Sequence, residues 1–246
     1  MLHIWHEDSL NSSTTQFWLF LKEYGYIPVN TDIIGHESNN KLLKYVKTQQ
    51  FNSNDTYIIL MDAVNDNSDI KVKYTNLLRY TKQYSNVHVS RLLCFEYLML
   101  RFDSFDVWIK SNNKNIEPLL QVRKALIDVI DRGYAWHNDD TIVDYVRSKY
   151  CITDDKEYKK RFFRITTEEI CFELITDITN RAGRAFLINK TVLGECWINY
   201  CCAFCNGNIR EARKFCYIAR YKKDTKTKAG NLWNGTLAKQ IVERKY

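Results

Sequence analysis

The run Thr56-Tyr-Ile-Ile-Leu-Met-Asp62, continued by Ala-Val-Asn-Asp66, constrains this chain more than any other stretch. Tyr57 to Met61 carry no polar break, and a carboxylate then appears at Asp62. A short unbroken apolar run suits a strand covered on both faces, as in a parallel sheet with helices on either side. In such sheets ligands bind beyond the carboxyl ends of the strands, where Asp62 and Asp66 would lie. The N-terminus repeats the pattern, since Leu2-His-Ile-Trp-His6 is followed by Glu7-Asp8. Two strands ending in acids imply one acidic site at one rim of one sheet.

Between these runs the apolar spacing alternates. Asp8 to Thr14 is small and polar and offers N-caps for a helix over 16–24, with Gly25 as its stop. Tyr26-Ile-Pro-Val29 reads as a strand. A helix over 39–50 follows, in which Leu42, Leu43 and Val46 form a stripe. Asn52 to Asp55 is a turn before the strand at 57–61. A helix over 68–84 then leads to a strand at Val87-His-Val-Ser90. This β-α-β-α-β-α-β order implies parallel βαβ units. Beyond it the pattern turns helical, over 118–130, 141–149, 166–180 and 209–221, with Thr166-Thr-Glu-Glu169 as a capping box. The expected architecture is α/β: a four-stranded parallel-type sheet flanked by helices over 1–105, then a mostly α-helical, Cys-containing, basic region over 106–246.

The acids carry the chemistry. Glu7 follows the first strand, Asp62 ends the third, Asp66 lies four residues on, and Glu96 follows the fourth. Clustered carboxylates repel one another unless a cation neutralises them. A few hard oxygen ligands suit Mg²⁺ or Mn²⁺, completed by water and a substrate phosphate. Such a site cleaves phosphodiesters. The alternative reading is that these acids solvate loops or cap helices, which fits Asp66 before Asn67-Ser68. His6, beside Glu7, is a candidate phosphate contact or base, whereas His88 reads as a packed or edge residue.

A Glu just after the first strand, then a polar loop and helix, then an Asp motif after the third strand, together resemble a Toprim domain. Ile4-Trp-His-Glu-Asp-Ser9 occupies the place of that family's Glu-Gly motif, and Met61-Asp-Ala-Val-Asn-Asp66 that of its Asp-x-Asp motif. The resemblance covers roughly residues 1–105. It implies Glu7 as acid/base or ligand, Asp62 as a ligand of Mg²⁺, and an activity akin to the nucleases of the OLD-type defence branch. A defence or toxin effector of this kind would be held in check by a protein partner. Two departures stand out: Asp8 replaces the Gly, and the second Asp falls at 66 while Val64 occupies the motif position. Glu96 would then serve as an extra ligand. A degenerate Toprim-like protein that binds nucleic acid or a partner without cutting is the competing reading.

The net charge of +7 is concentrated at one end. Residues 206–246 hold 11 Lys/Arg against 3 Asp/Glu, a local +8, which leaves −1 for residues 1–205. A basic segment on a near-neutral body points to a polyanion, with nucleic acid the expected partner. Arg210, Arg213, Lys214, Arg220, Lys222 and Lys223 are interleaved with Phe215, Tyr217 and Tyr221. Bases neutralise phosphates, and aromatics stack on unpaired bases. A solvated tail is the plainer reading.

Of eight cysteines, Cys94, Cys151 and Cys171 sit singly in apolar patterns and read as core. Cys202-x-x-Cys205 has zinc-knuckle spacing, and Cys196 with Cys216 would complete a four-sulfur zinc site. The missing second Cys-x-x-Cys favours buried thiols. No apolar run reaches the ~20 residues that span a bilayer, and no signal peptide is visible, so a cytoplasmic protein is expected.

Overall fold

The computed structural model describes residues 1–10, 12–62, 66–92, 94–103, 116–152, 160, 162, 164–181 and 225–244. Strands and helices alternate through the first third: β1 (Leu2–His6), α1 (Ser13–Glu23), β2 (Asp32–Gly35), α2 (Asn39–Thr48), β3 (Thr56–Asp62), α3 (Ser68–Thr81) and β4 (Val87–Leu92). The four strands form one all-parallel sheet in the order β2-β1-β3-β4. Ile4 pairs with Ile58 and Trp5 with Ile59, so the two acid-ending strands are neighbours at the sheet centre.

Side chains alternate across a strand, and here they feed two cores. Trp5, Tyr57, Ile59 and Met61 pack with Leu42 and Val46 of α2 and Leu77 of α3. Ile4, Ile58 and Leu60 pack with Phe17, Trp18 and Leu21 of α1 and with the later helices. Both faces of β3 are therefore covered, which accounts for its unbroken apolar run. Three of the crossover helices start on side-chain caps: Ser12 accepts from Thr15 N at 3.2 Å, Ser38 from Lys41 N at 3.3 Å, and Asn67 from Asp69 N at 3.2 Å. Gly25, at φ 78°, ends α1 in the left-handed conformation that glycine adopts at no steric cost.

The second strand lies elsewhere than the sequence pattern suggests. Tyr26-Ile-Pro-Val29 is not a strand: Thr31 N bonds Pro28 O at 2.9 Å in a turn, and Pro28 has no N–H for a ladder. Ile27 is buried among α1 residues, so its apolar character plugs the helix end. The true β2, Asp32-Ile-Ile-Gly35, is a short edge strand.

The helical part follows, with α4 (Phe95–Leu100), α5 (Glu117–Asp131), a 3-10 turn (Trp136–Asn138), α6 (Asp140–Tyr150), α7 (Thr167–Arg181), α8 (Thr225–Gly235) and α9 (Ala238–Val242). Leu126 of α5, Ile142 of α6, Ile170 and Leu174 of α7, and Ile241 of α9 all join the core under α1. Polar ties accompany this packing. Tyr97 OH donates to Asp131 at 2.6 Å, Arg123 Nε to Leu100 O at 2.7 Å, and Trp136 Nε1 to Ile165 O at 3.2 Å. The capping box forms as the sequence implies: Thr166 N donates to Glu169 Oε2 at 2.7 Å, and Glu169 N to Thr166 Oγ1 at 3.2 Å. The segment at the 105/106 division, and the helix expected over 209–221, lie outside the described residues.

Candidate active site at the carboxyl edge of the sheet

β1 and β3 deliver Glu7 and Asp62 to the same rim, and the two carboxyl groups meet there. Each residue keeps some surface, but both carboxyls are largely withdrawn from water. Burial is the main cause that pushes Asp62 well above the usual carboxylate range. Glu7, Asp8 and Glu168 add negative potential to it. Burial also raises Glu7, against the stabilising hydrogen bonds it accepts from the Asp62 carboxyl and backbone N–H. Of the two, Asp62 is the group pushed further toward its protonated form, in keeping with its carboxyl donating to Glu7. This is the arrangement expected when two like charges must share a desolvated site. The other oxygen, Glu7 Oε2, is buried and finds no hydrogen-bond partner among the described residues.

The loop that carries Glu7 is held from several sides. His36 N donates to His6 O at 2.9 Å, Glu37 N to Asp8 O at 3.2 Å, and Thr15 Oγ1 to Ser9 O at 2.8 Å. Thr14 Oγ1 donates to the Asp8 carboxylate. Gly35 is required by this closeness, because a Cβ there would stand 2.3 Å from Asp8 O and 2.9 Å from the Ser9 carbonyl carbon.

Glu168 was not singled out by sequence reasoning, yet it lies within electrostatic reach of both acids. It sits in the first turn of α7, and that helix is fastened to the sheet by Asp66. Asp66 Oδ2 accepts from Thr167 N and from Thr167 Oγ1, each at 2.7 Å. Asp66 is therefore occupied as a helix-end partner, across 101 residues of sequence. The capping box beginning at Thr166 was the available signal that an acid-rich helix start lay nearby.

Glu96 lies in α4 with 3% of its surface exposed. It shares its surroundings with Cys94, whose thiol is pushed well above its ordinary range by burial first, then by Cys171, Glu96 and Asp62. Cys94 and Cys171 are free, buried and side by side, in keeping with a packing role. Cys151 differs from expectation: it is exposed and ends α6 in the left-handed conformation at φ 50°.

His6 faces away from Trp5, as strand alternation requires, and is 1% exposed. Its Nε2 lies 3.0 Å from Thr15 Oγ1. Thr15 commits its only proton to Ser9 O, so His6 Nε2 is the donor. Burial lowers its pKa to about 4, Asp8 opposing and His36 assisting. His88 lies on the outermost strand β4, near Arg244.

Carboxylate oxygens at a buried rim, one of them unpartnered among the described residues, are the donor type that a hard divalent cation takes. Among the described residues, however, no three His, Cys, Asp or Glu stand close enough to hold an ion between them. The possible zinc set, Cys196, Cys202, Cys205 and Cys216, and the basic set, Arg210, Arg213, Lys214, Arg220, Lys222 and Lys223, lie outside the described residues. Among the described residues no helix is long and apolar enough to cross a membrane. Comparison of the chain with protein-family models, curated proteins and solved structures finds no match.

Proposed function

We propose that the chain is a divalent-cation-dependent phosphodiesterase acting on nucleic acid, with its centre at Glu7 and Asp62. The observation that carries this reading is the Glu7–Asp62 pair: two desolvated, hydrogen-bonded carboxyls at the carboxyl ends of adjacent central strands, with Glu7 Oε2 unpartnered among the described residues. Holding such a pair apart from water is costly unless a cation replaces the proton, and strand ends at the centre of a parallel sheet are where ligands bind. Glu7 and Asp62 would hold Mg²⁺ or Mn²⁺, with water and substrate phosphate filling the other positions. The ion would supply an activated water and charge neutralisation at phosphorus.

The residues of the chain do the rest. Asp62 would hold such an ion in its ionised form, giving up its proton to solvent. Glu168 and Asp8 keep the rim negative, which favours the exchange of proton for cation. Asp66 holds α7, and so Glu168, against the sheet. Resemblance to the Toprim nucleases supports the same reading and extends it to a defence or toxin effector restrained by a partner.

The test is a cleavage assay on single- and double-stranded DNA and on RNA, with Mg²⁺, with Mn²⁺ and with EDTA. Metal-dependent cutting by the wild type, absent in both Asp62→Asn and Glu7→Gln, is the expected result. No cutting of any substrate, with salt-sensitive binding intact in all three proteins, would replace the enzyme by a nucleic-acid-binding protein on the same fold.

A further inference from the structure

A concavity that includes neither Glu7 nor Asp62 lies at the outer edge of β4. It is a cleft of about 460 Å³ between the end of α3, β4 and α9. Ile58, Leu78 and Ile241 contribute apolar wall. Its polar lining is one-sided in charge: Lys82 and Arg244 face it, and no Asp or Glu is among its described lining residues. The size falls within the range of small-molecule sites, and an apolar wall with a few convergent polar groups is their usual make-up.

Two details indicate what the cleft receives. Ser90 is only 4% exposed, lines the cleft, and its Oγ has no hydrogen-bond partner among the described residues. Buried hydroxyls are normally satisfied, so an orphan at the wall of a cleft marks a position for a ligand's polar atom. At the rim, Arg244 adopts φ 59°, a conformation that residues other than glycine rarely take, and its Nη1 lies 3.4 Å from His88 Nε2. A guanidinium has five N–H donors, and this contact engages one. The pKa of His88 is lowered by burial and by Arg244, which fits a neutral ring accepting that bond.

We propose that this cleft binds a small organic anion whose carboxylate or phosphate meets Arg244 and Lys82. A hydroxyl or carbonyl at its other end would reach Ser90. His88 and Ser90 are two residues apart on one strand face, which sets the two polar ends about 7 Å from one another. The inference stands independently of the acidic centre.

The test uses para-hydroxyphenylacetate, whose hydroxyl and carboxylate lie at opposite ends of a ring, with phenylacetate and the methyl ester of the hydroxy acid as comparators. Binding to the full chain is followed by backbone amide shifts, with circular dichroism to show that each variant is folded. The hydroxy acid is expected to bind at least about tenfold more tightly than its ester and to move the amides of β4. Arg244→Gln should remove that preference, and Ser90→Ala should weaken the hydroxy acid while leaving phenylacetate unchanged. Absence of binding, equal binding of acid and ester, or an Arg244→Gln protein that keeps the preference would each overturn the proposal.

Discussion

Protonation of His6 offers a quantitative check on the rim. The ring is buried and neutral, with its pKa lowered from 6.5 to about 4. Between those values the folded state holds fewer protons than the unfolded state, so stability must fall as pH falls. The full difference between the two pKa values corresponds to roughly 3 kcal/mol, and about 2 kcal/mol of it is lost between about pH 7 and about pH 5. Other groups titrate in the same range, so the comparison must isolate this one. His6→Gln removes the titration while keeping an amide near the position of Nε2 and Thr15. Urea unfolding of both proteins at the two pH values gives the required cycle. The variant starts less stable by a pH-independent amount, and its deficit should shrink by about 2 kcal/mol on acidification. If wild type and variant lose stability in parallel, His6 titrates normally and the closed, dry loop around it is wrong.

The same rim yields other expectations. Gly35→Ala would press a Cβ to 2.3 Å from Asp8 O, a backbone atom with nowhere to retreat, and should cost about 2–4 kcal/mol in urea unfolding. Asp66→Ala removes two hydrogen bonds from the start of α7 and should cost about 1–2 kcal/mol; amide exchange in residues 167–170 should accelerate more than exchange in α2. Asp62 has the opposite sign to His6. Its raised pKa means the folded state keeps a proton above the ordinary carboxylate value of 3.8, so stability declines as pH climbs from there through the raised value. Asp62→Asn should therefore make the metal-free protein more stable near neutral pH, an advantage that vanishes in acid; an unchanged thermal midpoint near pH 7 would show that Asp62 is not buried against Glu7.

Legibility in the sequence tracked the physical strength of each signal. β1 and β3 were readable because central strands covered on both faces need apolar residues at successive positions. The crossover helices were readable from their caps and stripes. β2 was not: as an edge strand it needs only Ile33 and Ile34, both partly exposed, between Asp32 and Gly35. The more apolar Tyr26-Ile-Pro-Val29 carried a stronger signal for a different reason, since Ile27 seals the end of α1. Cys151 misled similarly, because a cysteine after an amphipathic helix reads as core unless the chain is known to turn left-handed there.

The candidate site shows a further boundary of sequence reading. Glu7 and Asp62 could be paired in advance because both follow strands of one parallel sheet, and parallel strands present the same end to the same rim. Glu168 obeys no such rule. It reaches the rim only because α7 packs against α4 and because Asp66 accepts both Thr167 donors, a contact that no periodicity encodes. The acidic potential at Asp62 is therefore assembled from both parts of the chain. This separates the roles of the acids in a way that sequence spacing does not. An Asp66 variant should loosen α7, move Glu168 and weaken cation binding while the Glu7–Asp62 pair persists. A Glu7 or Asp62 variant should remove the pair itself while α7 stays docked. Cation affinity together with α7 amide exchange distinguishes the two classes, since the first changes both and the second changes affinity alone.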